Sequence, residues 1–324
     1  MTLLRLSPTA LARCRFAISP LAETLGALIT LQRPCGYPWL ADWHGRHQAS
    51  YQGWLARDPV AAGLLRLVAA TKYLPDPVVV PPGGGMHTQL ADELAEVAAH
   101  SDEQVRATVA ESVAASWLQQ DTAWLAADGL GPRVAEVFRQ GWERFVAPDW
   151  PRRRAVLERD IMHRAGLLAA YGWKQAVESM KGRSVWVGEN AIRFSDQDWP
   201  DRWIGEEGLI FVPRTTPGGW WTCERSPHCA LVYSARGTAA EYTSPTADTL
   251  GTLLGPGRAR VVYELALPAT STQLAQALDV SLGTVSSHLA VLRETGVVTR
   301  ARTGRHVVYR LTARGEQLIA LLTG

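Results

Sequence analysis

Lysine is nearly missing from this chain of 324 residues: Lys72, Lys174 and Lys181 stand against 30 arginines. GC-rich coding produces such a bias, and it points to no function by itself. Cysteine is scarce as well. Cys14, Cys35, Cys223 and Cys229 are too few and too scattered for a disulfide framework in a chain of this length. No run of about 18 apolar residues occurs, so no helical membrane span is expected. Arg5, Arg13 and Arg15 interrupt the apolar N-terminus, so no signal-peptide core forms, and the expected location is cytoplasmic. The signatures of catalysis are also missing: no G-x-S-x-G, no H-E-x-x-H and no dinucleotide fingerprint. Gly83-Gly84-Gly85 is not followed by G-K-[ST], so it reads as a loop and not as a phosphate cradle. Neither enzymatic activity nor a cofactor is expected.

What is present divides the chain in two. From Thr246 onward there are eight arginines, no lysine and five acidic residues, a net charge of +3, whereas the rest carries −1. Positive charge is thus concentrated in the smaller C-terminal part, as expected where a protein meets phosphate. The domains expected are 1–245, an effector and oligomerisation region that is helical to about 171 and β-rich over 184–234, and 246–324, a DNA-binding domain.

Residues 271–311 carry the strongest pattern. Ser271 and Thr272 are N-cap types, and Leu274, Ala275 and Leu278 follow at helical spacing. Asp279 and Val280 turn the chain, and Ser281 is a second cap. A second helix then aligns Leu282, Val285, Leu289 and Leu292 on one face and ends at Gly296. Its other face carries Gly283, Thr284, Ser287, Ala290 and Val291, which are small, as close approach by another body requires. Val297-Val298 and Val307-Val308-Tyr309 read as strands around a Thr303-Gly304-Arg305 turn. Helix, turn, helix and basic hairpin make a winged helix-turn-helix, whose second helix reads the DNA major groove.

The segment resembles the ArsR-type winged helix on Ser281, Thr284, Val285, Ser286, His288, Leu289, Leu292, Gly296, Val297 and Val298, and in the wing on Gly304, Arg305, Tyr309 and Leu311. Over its whole length the chain resembles, more loosely, the larger actinobacterial ArsR-like regulators, which have an extended N-terminal domain of uncertain function. The fold class expected is α+β, predominantly α-helical. A C-terminal winged helix-turn-helix joins a larger helical domain containing a small antiparallel sheet.

Base reading falls to Gly283, Thr284 and Ser287, flanked by Ser286 and His288, with His288 placed at the DNA surface by the resemblance. No Arg, Asn or Gln precedes Arg293 on that face, so Ser/Thr contacts and shape readout are expected. Phosphate contacts are expected from Ser271 and Thr272 at a helix N-terminus, from Arg293, and from Arg302, Arg305 and His306 in the wing. Resemblance implies a homodimeric repressor, with apolar helices bearing Leu250, Leu253, Leu254, Leu318 and Leu322 as the dimer surface. The family's metal-binding cysteines are absent from Ser271-Thr272-Gln273-Leu274, and the last helix offers only Glu316. A residual metal candidate, Cys223 with His228 and Cys229, lacks a fourth ligand.

The controlling signal is therefore expected from the N-terminal region. All thirteen tryptophans lie between Trp39 and Trp221. Trp39, Trp43, Trp117, Trp124 and Trp142 are the candidates to line a pocket for a small apolar ligand. The alternatives are a protein partner bound to the same region, or a metal-responsive repressor with an unusual site. Double-stranded DNA and a second copy are the partners expected, and a membrane is not.

Overall fold

A computed structural model describes residues 2–33, 40–180, 186–195, 200–225, 227–235, 249–265, 268–278, 280–303 and 306–323. Contacts divide the chain into two compact units, residues 1–148 with 171–234 and residues 149–170 with 235–324. The helix over 149–170 precedes the β-rich stretch in sequence but packs in the same unit as the C-terminal residues.

The first unit begins with β1 (Thr2–Leu6), α1 (Pro8–Ala12) and β2 (Arg15–Phe16). Ser19 then caps α2 (Pro20–Gln32), its hydroxyl accepting the Ala22 N–H at 2.9 Å, and Pro20 occupies a first-turn position that has no bond to lose. Every residue of α2 from Pro20 to Leu28 is buried, so this helix runs through the middle of the helical layer. Around it lie α3 (Ala41–Leu55), α4 (Pro59–Val68), α5 (Leu90–Ala98) and α7 (Leu130–Phe145), with α6 (Asp102–Ala114) against α4 and α7. Asp58 caps α4, and Ser101 with Gln104 forms a reciprocal capping box on α6. Between α4 and α5, the Pro- and Gly-rich stretch that reads as a connector is packed down: Val78, Val79 and Val80 are all buried. Their apolar side chains outweigh the loop-forming residues around them.

The helix α8 (Trp150–Glu178) is broken at Gly172, whose φ of 79° lies in the left-handed region that glycine tolerates. Six strands follow: β3 (Trp186–Val187), β4 (Ala191–Ser195), β5 (Arg202–Ile204), β6 (Leu209–Arg214), β7 (Trp221–Arg225) and β8 (His228–Ser234). The small antiparallel sheet expected here is instead two mixed four-stranded sheets, in orders β3-β4-β1-β5 and β2-β6-β8-β7. β1 runs antiparallel to β4 but parallel to β5, and β6 is parallel to both β2 and β8. The cause is long-range: the N-terminal β1 and β2 insert among strands formed almost two hundred residues later. One core is shared by Leu4, Leu6, Ile192 and Ile204 of the first sheet and by Leu209, Phe211, Leu231 and Tyr233 of the second. The other face of the second sheet meets the helical layer through α2.

The second unit contains α9 (Thr249–Leu254), α10 (Pro256–Glu264), β9 (Ala269–Thr270), α11 (Ser271–Leu278), α12 (Leu282–Glu294), β10 (Val298–Thr303), β11 (His306–Leu311) and α13 (Ala313–Thr323). Leu250, Val261, Val262, Leu274, Val285, Leu289 and Leu292 share its core. The α8 residues of this unit bring charge inside. Arg159 pairs with Glu264 of α10, and Arg164 pairs with Asp160 through two bonds of 2.8 and 3.0 Å, all four side chains being closed to solvent. Within the helix's first turn, Arg154 pairs with Glu158 at 2.8 Å and Arg153 is buried.

Candidate nucleic-acid interface

The interface is built on caps. Thr270 lies one residue ahead of the Ser271 and Thr272 cap types. It is the residue that caps α11, because Gln273 completes a reciprocal box: the Gln273 N–H donates to Thr270 Oγ1 at 3.2 Å and the Thr270 N–H to Gln273 Oε1 at 2.9 Å. Ser271 and Thr272 therefore occupy the first turn. Ser281 caps α12, accepting the Thr284 N–H at 3.1 Å.

On α12 the buried stripe is Val285, Leu289 and Leu292. Leu282, expected to extend it, is 49% exposed because it sits at the first helical position, before the helix reaches the core. Gly283, Thr284, Ser286 and Ser287 are exposed, as are Ala290, Val291 and Arg293. At 100° per residue, Gly283, Ser287, Ala290 and Glu294 form the outermost ridge. That ridge has no side chain longer than Ser until its last position, where a carboxylate stands. His288 is less available than its four companions. It is half-buried, and a Cβ placed on Gly257 of α10 would lie 2.7 Å from its Nε2, so the ring packs against α10.

The wing ladder runs from Val298↔Leu311 to Thr303↔His306, and β9 joins its outer strand through Tyr309↔Ala269. Alternation puts Val298, Arg300 and Arg302 on one face with Val307, Tyr309 and Leu311, while Arg310 stands on the other. Arg300, Arg302 and Arg310 are exposed. Arg300 and Arg310 escaped the sequence reading, which followed the turn and not the strand register. Gly304 and Arg305 lie outside the described residues, as does the side chain of His306.

The leucines read as a dimer surface separate into two groups. Leu250 belongs to the unit's own core and is unavailable, and Leu254 and Leu318 are partly buried against that core. Leu253 is 61% exposed on α9, and Leu321, absent from the sequence reading, is 81% exposed on the neighbouring α13. The side chain of Leu322 is not described.

The tryptophan candidates do not gather in one cavity. Trp43 stacks in an aromatic cluster with His47, which in turn meets Phe145 edge-on. Trp124 is buried against Gly63, and Trp142 is half-buried. Trp117 lines one cleft and Trp124 another, and neither cleft is lined by Trp43 or Trp142. Trp39 lies outside the described residues. Helical periodicity places a ring on a face but does not bring faces of different helices together.

The register of β7 and β8 also separates the metal candidates. Cys223 opposes Ala230 and Cys229 opposes Glu224, so the two thiols point to opposite faces of the sheet, with His228 on the side of Cys223. Burial pushes the Cys229 thiol up to about 12 and that of Cys223 well above its ordinary value. Both are protonated at neutral pH, whereas zinc takes thiolates. Among the described residues no group of three or more His, Cys, Asp or Glu side chains could hold a metal ion. Nor is any described helix long and apolar enough to cross a membrane.

Comparison with known proteins falls on the same segment. A family model described as a helix-turn-helix domain matches residues 253–301, which span α10 to α12 and the start of the wing. No curated protein and no solved structure matched the chain. The chain thus carries a helix-turn-helix domain, the kind with which regulators of transcription bind DNA.

Proposed function

We propose that this protein is an ArsR-like transcriptional repressor that binds operator DNA as a homodimer and is controlled by a non-metal ligand at its first unit. The observation that carries the DNA reading is the outer ridge of α12, where Gly283, Ser287 and Ala290 stand exposed beside a basic wing. Small side chains let the helix backbone approach the base edges, and Thr284, Ser286 and Ser287 supply short hydroxyl contacts. Ser271 and Thr272 present backbone N–H groups to phosphate, and Arg293, Arg300, Arg302 and Arg305 add charge around the groove. The exposed Leu253 and Leu321 form the contact with the second copy, which sets two α12 helices on half-sites about one helical turn, or a multiple of it, apart.

Control by metal is disfavoured by the separated Cys223 and Cys229, so the signal is assigned to residues 1–148 and 171–234. The test is binding to a duplex selected from a random library, followed by fluorescence anisotropy over a series of salt concentrations. Replacing Arg302 or Arg305 by Ala should each lower the slope of log K against log salt by about 0.9, the value for one released phosphate contact. Slopes unchanged in both variants would remove the wing from the interface. Ser287→Glu should abolish selective binding. Retention of selectivity in that variant would overturn the assignment of α12 as the reading helix.

A further inference from the structure

A cleft of about 340 Å³ opens in the first unit, between α2, the segment following α4 and the loop that joins β6 to β7. The volume falls within the range of about 300–1,000 Å³ usual for small-molecule sites. Trp117, Phe194, Trp220 and Trp221 supply aromatic surface, and Arg33 and Lys72 stand among them. Trp117 is 54% exposed, an unusual degree for so large an apolar ring.

The cleft is positive. Lys72, one of only three lysines in the chain, is exposed, and its ammonium has no ion-pair partner among the described residues. The Arg33 guanidinium donates to the Ala69 carbonyl through Nε at 3.0 Å and Nη2 at 2.6 Å, and lies 5.9 Å from the Trp117 ring centroid. Beneath, the buried Arg214 donates to Thr216 Oγ1 at 2.9 Å and to the Pro217 and Gly219 carbonyls at 2.8 Å, and it lies 4.6 Å from the Trp221 ring. It thereby fixes the wall formed by this loop and adds charge to it. No residue lining the cleft is acidic. Asp76 and Glu224 line an adjoining recess of about 120 Å³, where Glu224 is bound to Arg202.

Flat aromatic walls accept a flat ring, and cations without a neighbouring carboxylate accept an anion. We infer that this cleft binds a planar aromatic carboxylate, with the ring covering Trp117 and facing Trp220 and Trp221 and the carboxylate on Lys72 and Arg33. The inference rests on the reading that a ligand at the first unit controls DNA binding, and it gives that ligand a site and a chemical class. It replaces the neutral apolar ligand that tryptophan content alone implies.

The probe is 2-naphthoate, titrated against the full chain by calorimetry and tryptophan fluorescence, with neutral 2-naphthamide as the matched control. Naphthoate should bind saturably at one site per chain, and naphthamide at least about tenfold more weakly, equivalent to about 1.4 kcal/mol. Lys72→Met should weaken naphthoate by a similar factor and leave naphthamide unchanged, whereas Trp117→Ala should weaken both. Both side chains are exposed, so neither substitution opens a core. Equal affinity for the two compounds, or insensitivity to Lys72→Met, would overturn the site. A chain that binds its selected duplex but not naphthoate would overturn the site and leave the DNA reading standing. Saturable binding lost in Lys72→Met, with duplex affinity the same with and without naphthoate, would uphold the site and overturn ligand control.

Discussion

The two units bury charge in different ways. In the first, carboxyl groups are enclosed and satisfied by backbone and hydroxyl donors. Glu93 accepts the Leu21 N–H at 2.8 Å and the Ser19 hydroxyl, and Glu23 accepts the Thr215 N–H at 2.8 Å and its hydroxyl. In the second, buried carboxylates face arginines: Glu264 faces Arg159 and Asp160 faces Arg164. A carboxyl held by neutral donors can take up a proton without losing a charged partner, but one facing a guanidinium cannot. Aromatic content divides the same way, for twelve of the thirteen tryptophans fall in the first unit and only Trp150 in the second. The first unit is therefore the part whose properties respond to protons and to flat apolar molecules. The second holds its charges fixed at any pH near neutrality.

The sharpest way to break this contrast is to remove one member of a pair in the second unit. Arg159→Ala leaves Glu264 in a site closed to water without its guanidinium, at a cost of about 3–5 kcal/mol. Urea unfolding followed through duplex binding should show that loss. The double variant Arg159→Met with Glu264→Leu should recover most of it, since well-packed apolar replacements of a buried pair are often neutral. Equal destabilisation by the single and double variants would mean that the pair is not what holds α8 to α10.

These charges also show where sequence reading stops. The winged helix was legible because its determinants are local: Ser281 caps α12, Val285, Leu289 and Leu292 recur at helical spacing, and two valine-rich strands flank a short turn. Its finer details depended on one side chain beyond the local pattern. Thr270, Ser271 and Thr272 are all cap types, and only the bond from Gln273 selects Thr270. His288 reads as a surface residue until Gly257 is seen beside it. The first unit was less legible because its pairings are distant. Nothing near Leu4 announces that it will face Ile192 on one side and Arg202 on the other. The run Arg152-Arg153-Arg154 resembles a solvated or phosphate-facing cluster, yet Arg153 is buried, and the Arg159 that follows pairs with a residue 105 positions away. The cleft around Trp117 joins residues from α2 to β7, which no periodicity relates.

The next effect belongs to the first unit and depends on pH. Burial pushes the Glu93 carboxyl up to about 8, against the pull of its Ser19 and Leu21 bonds and with a smaller contribution from Asp92. The folded protein therefore keeps a proton on Glu93 that the unfolded chain releases near the ordinary glutamate value of about 4.3. Stability from this group is fully present below that value and is lost as pH rises through about 8. Each unit of pKa difference corresponds to about 1.4 kcal/mol. Raising the pH from about 5 to about 9 should lower the Tm of the first unit by several degrees more in the native protein than in Glu93→Gln, whose amide cannot ionise. Parallel Tm profiles for the two proteins would place the proton elsewhere.

The smallest effects come from two glycines, one in each unit, that have the same backbone freedom and opposite roles. Gly63 lies on α4 directly under the Trp124 indole, and a Cβ there would overlap the ring. Gly63→Ala should cost about 1–3 kcal/mol, as overpacking does, and should shift tryptophan fluorescence as Trp124 moves toward water. Gly283 lies in the first turn of α12 with only Ser281 Oγ nearby, 3.7 Å from a Cβ placed there. Gly283→Ala should leave the fold unharmed or stabilise it by about 0.4–1 kcal/mol, because alanine narrows the unfolded ensemble and favours helix. Yet a methyl group on the outermost ridge of α12 stands where base edges approach, so affinity for the selected duplex should fall roughly tenfold, or about 1.4 kcal/mol. Thermal unfolding and anisotropy on the same preparations separate the two roles. In the first unit glycine is needed for the chain to fold. In the second it is needed for the folded chain to touch DNA, and a Gly283→Ala protein with unchanged duplex affinity would show that the ridge does not make that contact.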